Sequence, residues 1–160
     1  MLPALAFLIG VIAGLQTVTA LAAVSWSARL SGIVPPGFTL DFFAYAWTPW
    51  MLSAAAIAEL IKDKLPSTPS RKAPFGFLMR ILVGAVGGAV LNIGQGSWAI
   101  GSLCGVAGAV AGTFAGASVR TRLATAFGRD LPAALVEDII AILGAVAIVF
   151  LVFRVGARFC

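Results

Sequence analysis

The segment ILVGAVGGAVLNIGQGSWAIGSLCGVAGAVAGTFAGASV (residues 81–119) contains no charged side chain, although an arginine stands on either side of it, at Arg80 and Arg120. One helical crossing of the hydrocarbon layer of a membrane needs about 20 apolar residues. This segment is about twice as long, and NIGQGSW (92–98) in its middle is typical of a turn. It therefore predicts two membrane-spanning helices that are joined by a tight turn.

The composition of the whole chain agrees with a membrane protein. Charged residues make up 11% and apolar residues 61% of the sequence, whereas about a quarter of an average soluble domain is charged. The chain has no histidine, and its two cysteines, Cys104 and Cys160, are far apart, so no metal-ligand spacing is visible. We expect the lipid bilayer and further copies of the same chain, in a homo-oligomer, as partners, with no nucleic acid and no cofactor; whether any metal binds is left open.

Five apolar segments are predicted to cross the membrane within a single domain that covers residues 1–160. We therefore expect an all-α membrane protein, a compact bundle of about five transmembrane helices, with four to six possible if one segment is re-entrant. The predicted spans cover approximately residues 5–26, 42–61, 77–91, 99–119 and 130–153.

The distribution of lysine and arginine predicts how the chain is oriented. The loop over residues 62–80 holds five basic residues and the loop over 120–129 holds three, whereas the loop after the first span holds only Arg29. Cytoplasmic loops carry the excess of Lys and Arg in membrane proteins. We therefore expect both basic loops, and with five spans also the N-terminus, on the cytoplasmic side.

Glycines recur at a spacing of four residues in the third and fourth spans. Helices in lipid associate through close backbone contact, which small residues permit. This pattern predicts tight packing between the third and fourth spans of one chain, and alternatively a face on the fourth span that forms a homo-oligomer. The glycines are Gly84, Gly88, Gly101, Gly105, Gly108, Gly112 and Gly116. A weak similarity between residues 11–30 and 109–128 also predicts a possible inverted repeat, as in many transporters.

Acidic residues of the second and fifth spans are predicted to meet at one membrane face. Glu59 and Asp63 lie on one helix face near the inner end of the second span, and Glu137 with Asp138 lies about 9 Å inside the fifth. Such carboxylates are costly in a membrane unless they are paired or face water. They indicate either salt bridges that fix the helices or a site for a cation, a proton or a polar solute.

Two other polar stretches interrupt the apolar pattern. Gln16 and Thr17, with Gly14 and Thr19 beside them, lie inside the first span. Hydroxyl groups often bond to their own helix backbone; alternatively these residues mark a break in the helix that exposes its backbone to a cavity and to a bound ligand or ion.

The stretch PSTPSR (66–71) cannot continue a helix because of its two prolines. Ser70 and Arg71 in this stretch are candidates for binding a phosphate or a lipid headgroup. The alternative is a stiff loop over the inner end of the bundle.

Four segments of the chain resemble a family of bacterial membrane proteins catalogued as domain of unknown function 4126. The resemblance covers nearly the whole chain and is carried by IAGLQTVTALAAVSW (12–26), ELIKDKLPSTPSRKAP (59–74), GAVAGTFAG (108–116) and DLPAALVEDIIAI (130–142). It implies a compact multi-pass protein of the bacterial inner membrane. It implies no established activity.

Three functions are compatible with these observations. The first is a small transporter or channel-like protein for a small solute or ion, with an acidic site at its cytoplasmic side. The second is a non-catalytic scaffold that binds lipid or another membrane protein, in which the charges serve only topology. An integral membrane enzyme comes last, because histidine is absent and the sequence shows no nucleophile paired with a base, so no catalytic residue is predicted.

Overall fold

The computed structural model describes residues 2–35, 37, 39–63, 74–95 and 97–156, and over these ranges it is helical with no strand. Three of its helices, α4, α5 and α6, are long and apolar enough to cross a membrane, and α1 is a shorter apolar helix. The α-helices are α1 (Leu2–Leu15), α2 (Thr17–Ser31), α3 (Thr48–Lys62), α4 (Pro74–Asn92), α5 (Trp98–Phe127) and α6 (Asp130–Gly156).

The first predicted span is two helices, because the chain reverses its direction at Gln16. The backbone of Gln16 is extended, with φ −137° and ψ 109°. Gly87 of α4 lies against the side chains of Ile9 and Val24 at once, and in one continuous helix these two residues would be about 22 Å apart. The prediction of one continuous helix over about residues 5–26 is therefore wrong, and the predicted break near Gln16 is confirmed.

The two ends of this helical hairpin lie together at the far end of α4. The side-chain amide of Asn92 donates a hydrogen bond to the carbonyl oxygen of Leu2 at 3.4 Å, and the carbonyl oxygen of Ile33 faces Gly94. The start of the chain is thus at the end of the bundle opposite Arg80. The prediction that the N-terminus lies on the same side as the basic segments is wrong, because the reversal adds one more pass through the bundle.

Close contact between α4 and α5 is made through glycines, as the sequence predicted. A Cβ atom at Gly105 would collide with the backbone carbonyl oxygen of Gly84, and one at Gly88 would collide with that of Gly101. The two backbones therefore approach each other in a way that only glycine permits.

The remaining glycines of α5 pack against α1, which corrects their predicted place. Gly108 lies against the carbonyl oxygen of Phe7, Gly112 against that of Val11, and Gly116 against the side chain of Leu15. Opposite them, Gly10 and Gly14 of α1 lie against the backbone of α5; these two were not predicted as packing residues. The glycine face of α5 is covered within the chain, so it does not provide the predicted homo-oligomer face.

The basic segment after the fourth predicted span is mostly helix. Helix α5 continues through residues 120–127 and ends at Gly128, whose φ of +68° is the left-handed conformation that glycine adopts readily. The prediction of a loop over 120–129 is wrong because charged residues end an apolar span without ending a helix. The same turn brings Asp130, the first residue of α6, back toward Arg120.

The hairpin forms the middle of the bundle. Helix α1 packs against α4, α5 and α6, whereas α2 packs mainly against α3 and α6. Large apolar side chains also cover the outside of the bundle, for example Trp50, Ile57, Phe75, Leu103 and Leu143. The buried core includes Leu2, Leu5, Ile9, Ile12, Val24, Val83, Val90, Leu91, Ile148 and Val152.

Candidate functional site

The reversal at Gln16 leaves backbone groups of two helix ends without helical partners, and Arg80 binds those of α1. The last carbonyl groups of a helix accept no hydrogen bond from the helix itself. The guanidinium nitrogen Nη1 of Arg80 donates hydrogen bonds to the carbonyl oxygens of Gly14 and Leu15, the latter at 3.1 Å. The hydroxyl of Thr113 also points to the Gly14 oxygen, at 3.4 Å. Arg80 is 8% exposed, so its positive charge lies inside the protein at the negative end of α1.

Glu59 of α3 binds the start of α2 with the opposite charge. Its carboxylate oxygens accept hydrogen bonds from the backbone N–H groups of Thr17 at 3.1 Å and Val18 at 2.8 Å. The first N–H groups of a helix lack partners, and the helix dipole makes that end positive. The Glu59 carboxylate supplies hydrogen-bond acceptors for these N–H groups and a negative charge opposite the positive end of α2. It also interacts electrostatically with Arg80.

Gln16 itself connects the reversal to α6. Its side-chain nitrogen Nε2 donates a hydrogen bond to Oδ1 of Asp138 at 2.7 Å, and both side chains are buried. The amide oxygen Oε1 of Gln16 is buried as well, and no hydrogen-bond donor among the described residues reaches it. A buried amide oxygen without a donor is uncommon in proteins and costs free energy.

Arg120 of α5 links the surface to the interior. It makes two hydrogen bonds to the Asp130 carboxylate, at 2.6 Å and 3.0 Å. On its other side, its Nη1 lies 3.7 Å from Oε2 of Glu137. The Asp130 side chain is 63% exposed and that of Glu137 only 8%. The guanidinium therefore joins a carboxylate in solvent to one within the bundle.

These side chains form one group around the reversal, which we call the break cluster: Gln16, Glu59, Arg80, Arg120, Glu137 and Asp138. Four helices and the reversal contribute to it. It holds three carboxylates and two guanidinium groups. Asp63, half-buried at the end of α3, interacts electrostatically with Glu59 and Arg120.

The structure brings together most of the residues that the sequence singled out as a binding site. Glu59, Glu137, Asp138 and Gln16 are in the break cluster, and Thr17 takes part through its backbone N–H. Ser70 and Arg71 lie outside the described residues.

Arg80 and Arg120 were not predicted as site residues. Arg80 is the sixth residue after the start of α4, and Arg120 is seven residues before the end of α5. A charged residue inside an apolar helix was the available signal for both. Their partners, two carbonyl groups and two carboxylates, come from distant parts of the chain.

An apolar groove lies beside the cluster, between α2, α3 and α6. Its volume is about 550 Å³, and it is lined by residues that include Thr19, Ala23, Trp26, Ile142 and Phe150. No side chain of the break cluster is part of this lining. The groove is therefore separate from the charged residues.

The break cluster combines several kinds of polar group. Over the part of the chain that the structure describes, no three or more side chains of His, Cys, Asp or Glu are grouped so that they could hold a metal ion. The oxygens and nitrogens at the reversal come instead from carboxylates, an amide, guanidinium groups and backbone.

Comparison with known proteins does not assign the chain to a family. No family model, curated protein or solved structure matches it. The resemblance to domain of unknown function 4126 therefore stays a prediction, and the function has to be argued from the geometry of the break cluster.

Proposed function

We propose that this chain is a small membrane transport protein, whose break cluster binds a small solute or ion as it passes through the bundle. The observation that carries this proposal is the convergence of buried and half-buried charged side chains from four helices on one broken helical element. Ionisable groups inside membrane bundles are costly and commonly mark ion or substrate pathways. Discontinuous helices whose ends meet near the bilayer midplane form the binding sites of many secondary transporters.

The outside of the bundle supports a location in the bilayer. Three helices are long and apolar enough to cross a membrane, and large apolar side chains are exposed along α3, α5 and α6. Trp47 and Trp50 at the start of α3, and Trp98 at the start of α5, are exposed at the end away from the break cluster. Tryptophan is enriched at membrane–water interfaces, which suits this end. We propose the inner membrane, with the charged end in the cytoplasm.

The exposed fraction of the charged side chains decreases stepwise toward the cluster, which supports access to it from the charged end of the bundle. Exposure decreases from Asp130 at 63% to Arg120 at 18% and Glu137 at 8%. Along α6, Glu137 is about 10 Å from Asp130 at helical rise. An ion that enters beside Asp130 therefore meets alternating charges until it reaches Gln16.

Glu137→Gln is expected to abolish transport while the protein still folds. The amide has the same size and keeps a hydrogen-bonding oxygen, but it removes the negative charge beside Arg120. In liposomes that contain fluorescent indicators for Na⁺, K⁺ and pH, we expect ion entry to fall at least about tenfold, which is the loss of roughly 1.4 kcal/mol of stabilisation at the site. Asp41→Asn is the control, because Asp41 lies before the start of α3, away from Glu59, and its carboxylate accepts a hydrogen bond from the backbone N–H of Gly37; its flux should remain close to wild type.

The proposal is contradicted if wild-type liposomes take up none of these ions faster than protein-free liposomes. It is also contradicted if both variants transport as fast as wild type. A Glu137→Gln variant that no longer elutes as a single species in size-exclusion chromatography would instead assign Glu137 a structural role.

A specific observation also favours a second candidate, a non-catalytic membrane scaffold. Both helix ends at the reversal are already bound by side chains of the same chain, Arg80 and Glu59, and glycines close the interfaces of α5 with α4 and α1. In a scaffold the break cluster would only hold the hairpin in place. The flux measurement separates the two candidates, because a scaffold gives stable protein in liposomes without ion entry.

A further inference from the structure

We infer that the apolar groove between α2, α3 and α6 holds one acyl chain of an anionic phospholipid, whose phosphate group lies against Arg29 and Arg154. This binding site depends on the location in the bilayer proposed above, and it does not depend on transport through the break cluster. Two observations carry it: the dimensions of the groove, and the two arginines at one of its ends.

The groove exists because three helices meet at small side chains. Helix α2 packs against both α3 and α6, whereas α3 and α6 make little contact with each other over the described residues. Buried alanines line the space between them: Ala22, Ala23, Ala56 and Ala145. Ile57 of α3 and Val146 of α6 also line the groove and are exposed. The groove is thus open to the surroundings of the bundle, which in a membrane are acyl chains.

The length of the groove matches one leaflet of a bilayer. Its lining extends from Thr19 to Leu30 on α2 and from Ile142 to Phe153 on α6, which at helical rise is about 16 Å in each helix. The hydrocarbon layer of a membrane is about 30 Å thick, and one leaflet contributes half of it. A single acyl chain that runs from the membrane surface to the midplane therefore has the length of this groove.

The width of the groove fits a single chain and not a helix. A volume of about 550 Å³ over this length corresponds to a channel about 6 Å across, whereas an α-helix with its side chains is about 10–12 Å across. Two polar side chains of the lining are bonded within the protein. The indole N–H of Trp26 donates to the hydroxyl of Ser53 at 3.1 Å, and that hydroxyl donates to the carbonyl oxygen of Pro49 at 2.7 Å. An acyl chain forms no hydrogen bonds and leaves both of these intact.

Two exposed arginines lie at the end of the groove away from the break cluster. Arg154 follows Phe153 on α6, and its guanidinium lies over the ring of Phe150 at 4.6 Å; both phenylalanines line the groove. Arg29 precedes Leu30, the last lining residue of α2, and lies in the last turn of that helix. The two positive charges therefore stand where the groove reaches the end of the bundle.

This end of the groove suits the water–lipid boundary. The ring of Trp26 packs against that of Trp50 with their centroids 5.1 Å apart, and tryptophan is enriched at this boundary. Arg29 is one turn beyond Trp26 along α2. Guanidinium groups bind phosphate oxygens through paired, charge-assisted hydrogen bonds, and basic pockets between membrane helices bind anionic headgroups. An apolar channel that ends at two guanidinium groups is therefore complementary to a phospholipid with a negatively charged headgroup.

The test uses the fluorescence of Trp26, which lines the groove. The exposed Trp47, Trp50 and Trp98 are replaced by phenylalanine, and the full-length protein is reconstituted into phosphatidylcholine bilayers. Brominated acyl chains quench tryptophan on contact, so brominated phosphatidylglycerol is compared with brominated phosphatidylcholine over a range of mole fractions. Half-maximal quenching should need about one fifth as much phosphatidylglycerol or less, because each basic residue near a membrane surface favours an anionic lipid by about fivefold.

Paired arginine variants locate the headgroup. In Arg29→Gln/Arg154→Gln, the two lipids should quench at the same mole fraction, because both cations at the end of the groove are gone. Arg122→Gln/Arg129→Gln is the matched control, since it removes two exposed arginines at the other end of the bundle. It should keep the preference for phosphatidylglycerol.

A pair of substitutions on α6 locates the acyl chain. Val146→Phe adds bulk inside the groove and should reduce the quenching of Trp26 by either lipid. Leu143→Phe is the matched control, because Leu143 is exposed on the same helix and is not part of the lining. Its quenching should equal that of the unsubstituted single-tryptophan protein.

If the single-tryptophan protein does not elute as a single species, the Tm of the chain with its four tryptophans, measured in detergent, decides. A ligand that binds only the folded state stabilises it by mass action. At about ten times its Kd, phosphatidylglycerol should raise the Tm by about 4 °C more than phosphatidylcholine with the same acyl chains. Arg29→Gln/Arg154→Gln should abolish this difference.

The inference is overturned if the two lipids quench Trp26 equally, or if the preference persists in Arg29→Gln/Arg154→Gln, because the headgroup then binds elsewhere. Equal quenching of Val146→Phe and Leu143→Phe also overturns it, because the chain then lies outside the groove. The same holds if neither lipid quenches Trp26 and light scattering shows a dimer, since a second copy then covers the groove. Selective quenching without ion flux in liposomes would support the lipid site and contradict the transport proposal, and flux without selective quenching would do the reverse.

Discussion

The Gly105→Ala variant is expected not to accumulate as a folded protein. Gly105 is where α4 and α5 approach most closely, and an added Cβ atom there would collide with the backbone carbonyl oxygen of Gly84. The Cβ atom is fixed directly to the backbone of α5, and the oxygen belongs to the backbone of α4. Neither can rotate away, so the two helices would have to separate. Separation would also remove the contacts that each helix makes with α1. We expect a loss of more than about 4 kcal/mol, which is among the largest effects of single substitutions.

The matched control is Gly144→Ala in α6. A Cβ atom at Gly144 would meet only the terminal methyl group of Ile12, at 2.8 Å, and that flexible side chain can turn aside. Yield and Tm in fluorescence-detected size-exclusion chromatography should be near wild type for Gly144→Ala and absent or strongly reduced for Gly105→Ala. Equal behaviour of the two variants would contradict the observed α4–α5 contact.

The Arg80→Met variant is expected to destabilise the protein by about 3–5 kcal/mol, the usual cost of removing one partner of a buried ion pair. Methionine fills a similar space but cannot donate hydrogen bonds to the carbonyl oxygens of Gly14 and Leu15. The carboxylate of Glu59 would also lose the positive charge with which it interacts. A change of this size should lower the Tm by roughly 10 °C in a chain of this length.

Arg154→Met provides the comparison for this effect. Arg154 lies near the end of α6, is exposed, and places its guanidinium over the ring of Phe150 at 4.6 Å. Exposed contacts of this kind contribute little to stability. If Arg80→Met lowered the Tm no more than Arg154→Met, the role of Arg80 in holding the reversal would be wrong.

The helical, membrane-type architecture could be predicted because it depends on local composition. The third, fourth and fifth predicted spans match α4, α5 and α6 closely at their apolar parts, since an uncharged run of sufficient length has few alternatives to a helix. The end of α5 was missed because hydrophobicity predicts the limits of a membrane-spanning segment and not the residue at which the helix ends. The predicted number of about five spans is not confirmed, because α1, α2 and α3 are each short and three described helices are long and apolar enough to cross a membrane.

The candidate site was predictable in its acidic residues and not in its partners. Glu59 and Asp138 were expected to meet because two basic segments place the ends of their helices on one side. The hydrogen bonds that define the site join residues such as Gln16 and Asp138, which are 122 positions apart. These contacts depend on the direction in which the chain continues after Gln16. A polar residue in an apolar segment indicates a break in the helix, but it does not show whether the chain then continues in the same direction or reverses.

The reversal at Gln16 can be measured directly by the distance between spin labels at Ala4 and Leu30, two exposed positions in α1 and α2. Cys104 and Cys160 are first replaced by serine, and cysteines at the two positions are labelled in the reconstituted protein for double electron–electron resonance. If the chain folds back, both labels lie at the same end of the bundle and their separation should be about 20 Å or less. A continuous helix would separate these positions by about 39 Å. A single distance near that value would contradict the hairpin and, with it, the break cluster.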